Sequence, residues 1–183
     1  MKIKNATIKV AFFAVEDDGT YHGFEKSCYG FELALEKKGR SMKILVSACL
    51  LGIDCKYNGK NNKNETVLEL LKDHDLIPVC PEIMGGLPTP RIPSEINGNE
   101  VITRGGKNVT KQYQKGAEEA LKIAKLYNCQ TAILKEKSPS CGCGKIYDGT
   151  FTGTLIDGDG ITARLLKEHG IKITGETSLD IIE

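Results

Sequence analysis

From Met42 onward, short apolar runs alternate with longer amphipathic stretches, and this alternation restricts the fold more than any other feature of the chain. Lys43-Ile44-Leu45-Val46-Ser47-Ala48-Cys49 is too short for a buried helix, ends in a turn at Gly52, and reads as a buried strand. Glu65 to Asp73 carries Val67, Leu68, Leu70 and Leu71 at helical spacing, with Asn64 placed to cap it. Leu76-Ile77-Pro78-Val79 is a second strand. Pro78 donates no ladder hydrogen bond, so this strand belongs at a sheet edge or starts late. Val109 to Tyr127 is a long amphipathic helix whose apolar face is Val109, Tyr113, Ala117, Ala120, Leu121, Ala124 and Leu126. Thr131-Ala132-Ile133-Leu134-Lys135 is a third strand, Ile161 to Glu168 a helix stopped by Gly170, and Ile171 to Thr174 a last strand. Such a succession implies an α/β domain, Rossmann-like and three-layered, with a mostly parallel sheet over residues 42–183.

The remaining segments are less regular. Pro81 to Asn99 is too rich in Pro and Gly for one regular element and reads as a long loop, of the kind that is usually functional or disordered; the embedded Arg91 and Glu95 favour function. Val101-Ile102-Thr103 is a brief strand, and Gly149 to Gly158 a turn-rich connection. Residues 1–41 break the pattern and form an N-terminal extension. It holds one or two strands (Thr7 to Val15), a turn at Asp17-Asp18-Gly19-Thr20 and a short helix around Phe31 to Lys38. A chain of 183 residues suits one ordinary domain with a small appendage. Its net charge of +1 leaves no global field to attract nucleic acid, and no apolar run spans a bilayer. The apolar stretch from Ile8 to Val15 is broken by Lys9 and followed by acidic residues, so no signal peptide is expected and the expected location is cytoplasmic.

Seven cysteines are many for a cytoplasmic chain of this size, where disulfides are disfavoured; metal binding or redox chemistry becomes the leading explanation. Cys129, between a helix and a strand, reads as a small buried core residue, and Cys28 has no partner near it. Cys49 follows the first strand, Cys80 the second, and Cys141 the loop after the third. Parallel strands end on one edge of a sheet, and ligands bind at that edge, so these three thiols converge although far apart in sequence. Thiolates suit zinc and iron–sulfur clusters, and three ligands leave a coordination position open for substrate. The bland alternative is scattered core thiols. No Cys-x-x-Cys pair exists, which disfavours a zinc ribbon. Cys55 and Cys143 stand near in sequence, each either a fourth ligand that closes the site or a spare thiol. Glu82 is either a general acid/base or a solvated loop carboxylate; Ser138 either bonds substrate or turns its own loop. Lys135, Lys137, Arg91 and Arg104 carry the same ambiguity.

Taken together and in order, Ser47-Ala48-Cys49-Leu50-Leu51-Gly52, Cys55-Lys56-Tyr57-Asn58-Gly59, Cys80-Pro81-Glu82, Gly85-Gly86-Leu87-Pro88-Thr89-Pro90-Arg91, Ser138-Pro139-Ser140-Cys141-Gly142 and Tyr147-Asp148-Gly149-Thr150-Phe151 resemble the motifs of the thiouracil desulfidase family. The resemblance covers about residues 42–175 and leaves the extension and Cys143 outside it. It implies an oxygen-sensitive [4Fe–4S] cluster held by Cys49, Cys80 and Cys141, with one iron free for the sulfur of a thiolated pyrimidine. It implies non-redox desulfidation of a base or nucleoside such as 2-thiouracil, releasing hydrogen sulfide, with Glu82 as acid/base and Ser138 assisting substrate. The competing reading is a non-catalytic cluster or zinc sensor closed by Cys55 or Cys143. The near-neutral charge weighs against a base within RNA as substrate.

Overall fold

The computed structural model describes residues 12–15, 21–24 and 41–179. The chain divides into two units, Met1–Lys37 and Lys38–Glu183. In the first, β1 (Phe12–Val15) pairs antiparallel with β2 (Tyr21–Phe24). The expected turn at 17–20 and helix at 31–38, like Cys28, lie outside the described residues.

The second unit is built on β3 (Lys43–Ser47), β4 (Asp75–Val79), β7 (Thr131–Leu134) and β10 (Lys172–Gly175). These four strands pair in parallel in the order β10-β7-β3-β4. Pro78 sits opposite Val46 on the edge strand, where its missing N–H costs no ladder bond. Ile44 and Val46 of β3 point to one face and pack with Val67 and Leu50; Leu45 points to the other and packs with Leu121, Ala124, Ala163 and Leu166. The two-residue period of the strand therefore feeds two apolar layers, with α1 (Glu65–Glu69) on one side and α3 (Thr110–Tyr127) and α4 (Ile161–Glu168) on the other. Asn64 caps α1, its side chain accepting from Val67 N at 3.1 Å. Cys129 lies in the core between α3 and the sheet.

Three expectations are corrected. The Pro81–Asn99 stretch contains α2 (Pro81–Met84) and β5 (Ser94–Asn97); β5 forms an antiparallel hairpin with β6 (Glu100–Thr103). Pro81 at the first helical position needs no N–H partner, and Gly98, at φ 58, supplies the two-residue hairpin turn. The 149–158 connection holds β9 (Leu155–Asp157), which pairs with β8 (Lys145–Tyr147). Leu126 is not on the buried face of α3 but 79% exposed; Gly116 takes the place in that face. A Cβ on Gly116 would lie 1.8 Å from the carbonyl oxygen of Pro81, and one on Gly85 would lie 2.0 Å from that of Gln112. The paired glycines let α2 and α3 meet backbone to backbone. Among the described residues no helix is long and apolar enough to cross a membrane.

Candidate active site

A cleft of about 810 Å³ opens at the carboxyl ends of β7, β3 and β4. Because these strands are neighbours and parallel, Cys49, just past β3, Cys80, just past β4, and Cys141, in the loop after β7, all line it. Cys55 lines it too; Cys143 does not. Cys143 lies beside β10 and α4, its Sγ 4.0 Å from Ile173 O and in contact with Lys167.

The thiols differ in environment. The neighbouring Cys55 thiol is the main reason the Cys49 thiol is lowered and the Cys80 thiol comes down to about 7, while Cys55 itself is pushed up. Asn62 Nδ2 donates to Cys49 Sγ at 3.6 Å, and the Cys80 thiol reaches Cys55 O at 3.8 Å. Burial pushes the Cys141 thiol up, against a hydrogen bond with Ser47. Ser47 Oγ also accepts from Lys135 N at 2.9 Å, joining the ends of β3 and β7 under the cleft.

Glu82 enters from the first turn of α2. Its Oε2 accepts from Arg91 Nε and Nη2, both at 2.7 Å, and from Tyr113 OH at 3.2 Å. Its Oε1 faces Ser138 Oγ at 3.5 Å. Arg91, with a side chain only 6% exposed, also donates from Nη1 and Nη2 to Cys55 O at 3.1 and 3.2 Å. A buried guanidinium thus ties the carboxylate to the Cys55 loop, two of its N–H groups converging on one oxygen, Oε2, in charge-assisted bonds. Ser138 Oγ accepts from Ser140 N at 3.1 Å and Cys141 N at 3.2 Å, which leaves its own proton for Glu82 or a ligand. Lys135 and Lys137 line the cleft; Lys135 Nζ pairs with Glu176.

The sequence reading missed Tyr113, which looked like one more apolar position of α3, and Ser47, which looked like the end of a strand. A tyrosine among alanines on a helix face is a weak signal, because only the fold shows what its hydroxyl meets. Arg91 stood as one ambiguous cation among several.

The donor set fits a polynuclear metal–sulfur group better than a single ion. Among the described residues no three His, Cys, Asp or Glu side chains converge on one metal ion. Cysteine thiolates are the ordinary ligands of iron–sulfur clusters. Soft sulfur donors, of the kind that soft and borderline metals take as ligands, share one cleft with a carboxylate and a hydroxyl.

Comparison with known proteins agrees. Residues 44–178 match the model of the 2-thiouracil desulfurase family. The chain is 44% identical over 149 residues to the protein YbbK of Bacillus subtilis (strain 168), covering 76% of this chain and 99% of that one. It also resembles the solved structure of TudS, a [4Fe-4S]-dependent thiouracil desulfidase, with 41% identity and a TM-score of 0.71 over 77% of this chain and 95% of that one. The chain belongs to the 2-thiouracil desulfurase family, a family of enzymes.

Proposed function

We propose that the protein hydrolyses the C–S bond of a thiolated pyrimidine base or nucleoside, such as 2-thiouracil, and releases hydrogen sulfide, with Cys49, Cys80 and Cys141 holding a [4Fe–4S] cluster. The observation that carries this reading is the meeting of three thiols from adjacent strand ends with the Glu82–Ser138 pair in one cleft. When bound, the cluster supplies a Lewis-acidic iron with an open position for a soft thiocarbonyl sulfur.

The protein's own groups do the rest. Arg91 and Tyr113 occupy Glu82 Oε2, so Oε1, which meets only the long contact from Ser138, is the oxygen that takes a proton from water. Ser138, its lone pairs engaged by two backbone amides, orients that water by donating its proton. The water oxygen forms the new C–O bond, the C–S bond breaks, and sulfur leaves with two protons; no electron is exchanged. Cys55 lines the same cleft beside Cys49 and Cys80, where a thiol that stays protonated can donate to ligand sulfurs and tune a cluster. The cleft, of about 810 Å³, is large enough to admit a base or nucleoside.

The test is reconstitution with iron and sulfide under anaerobic conditions, addition of 2-thiouracil, and assay of sulfide and uracil in equal amounts. A loaded protein that turns over no thiolated base would refute the reading and favour a non-catalytic cluster protein closed by Cys55.

A further inference from the structure

Phe151 is held in an unusual way. Its φ of 58 places a bulky residue in the left-handed region, which side chains of this size seldom adopt. Of the other described non-glycine residues with positive φ, Asn128 ends α3 and Lys137 lies in the cleft itself. Glu95, only 8% exposed, enforces the conformation: its Oε2 accepts from Gly149 N at 3.1 Å and from Phe151 N at 2.9 Å. Gly149, at φ 88, has no room for a side chain, since a Cβ would lie 2.7 Å from Ile96 O. Thr150 Oγ1 donates to Asp148 Oδ1 at 2.6 Å and bonds Thr152 at 2.7 Å, and Thr152 bonds Thr154 at 3.0 Å. A buried carboxylate therefore fixes the backbone that carries one aromatic ring, and a chain of hydroxyls links the residues around it.

Core packing does not account for that ring: Phe151 belongs to none of the three apolar clusters of the described residues. It lines the same cleft as the thiols and Glu82. The Arg104 guanidinium lies 5.5 Å from the ring centroid, a cation–π contact. Backbone strain maintained by its surroundings at a cleft wall points to a role in binding.

We infer that Phe151, backed by Arg104, is a stacking platform that selects flat heteroaromatic thiocarbonyls over open-chain ones. This rests on the desulfidation reading and adds its specificity element. A pyrimidine offers a π-face to the ring, whereas thioacetamide offers a sulfur but almost no stacking area. Phe151 makes its contribution through binding, so its loss raises KM and leaves kcat alone.

The experiment uses the full chain loaded with its cluster. Phe151→Leu is expected to raise KM for 2-thiouracil about tenfold, with kcat, cluster absorbance and any turnover of thioacetamide unchanged; Phe151→Tyr restores the wild-type KM. The chain has no tryptophan, so Phe151→Trp adds a unique fluorophore. Uracil, which has no sulfur, is expected to quench it, and urea at the same concentration is not. An unchanged KM in Phe151→Leu, or an indole emission indifferent to uracil, overturns the inference even if 2-thiouracil is turned over. If no thiolated base is turned over but uracil still quenches the indole, the platform stands and the desulfidation reading falls.

Discussion

Replacing Gly116 with alanine tests how strictly the α2–α3 contact positions the chemistry. The new methyl carbon would stand 1.8 Å from Pro81 O and 2.7 Å from Pro81 C, whereas Cβ contacts under 3.0 Å are essentially never seen. The two helices must therefore part by roughly 1 Å, and α2 is the shorter and more easily displaced element. Stability should fall, because the methyl meets backbone and not a side chain that could swing away. Overpacking costs about 1–3 kcal/mol, and alanine returns about 1 kcal/mol of helix propensity in α3. The melting temperature should fall by no more than about 8 °C. Turnover should fall far more, because Pro81 lies between Cys80 and Glu82, and a displacement of about 1 Å at the reacting groups costs about 100-fold. The assay is anaerobic sulfide release from 2-thiouracil, set beside a thermal melt, with Lys115→Ala on the exposed side of α3 as control. Wild-type turnover in Gly116→Ala would refute the reasoning and show that the close glycine contact does not set the position of Glu82.

Ser47→Ala leaves the amide of Lys135 without its partner and should destabilise the fold by about 1–3 kcal/mol in urea titration. Glu82→Gln should keep the cluster spectrum and lose about 100-fold to 10,000-fold in kcat. Cys143→Ser should retain full iron content, since Cys143 faces Ile173 and Lys167, whereas Cys49→Ser, Cys80→Ser and Cys141→Ser should each lose it on gel filtration. Burial pushes the Asp159 carboxyl up, but the two 2.8 Å bonds from Lys167 Nζ and one from Gly144 N outweigh it and hold the group below its usual range. That stabilisation is present above the ordinary carboxylate pKa and is lost as pH falls through the lowered one. Asp159→Asn should therefore reduce stability at pH 7 and flatten its loss below about pH 4 in urea titrations.

Much of the fold was legible because periodicity is a local property. The four sheet strands and helices α1, α3 and α4 follow from apolar spacing and from Asn64 and Gly170 at their ends, with boundaries close to those observed. The hairpins were not legible. Pro and Gly in 81–99 and Gly in 149–158 speak for turns, and they mask the short strands β5 and β9, whose few residues carry little pattern of their own. Leu126 shows the same limit from the other side: its composition says core, but only the partner surface decides which stripe of α3 is covered.

The sequence by itself determined that Cys49, Cys80 and Cys141 each follow a strand of an α/β domain, and the parallel topology of such a domain requires those ends to share one edge. Chain order could not rank Cys55 against Cys143, because nearness in sequence does not say which side of a loop faces the cleft. The tertiary structure decided that: Cys55 stands among the thiols, and Cys143 lies beyond them against β10. It also decided the surroundings of Glu82, where Arg91 and Tyr113, from a loop and from the middle of a helix, take one oxygen and leave the other facing Ser138. Those contacts join residues as many as 31 positions apart. The Tyr113 bond spans α2 and α3, which close to backbone contact at two glycines, a distance that no local pattern encodes.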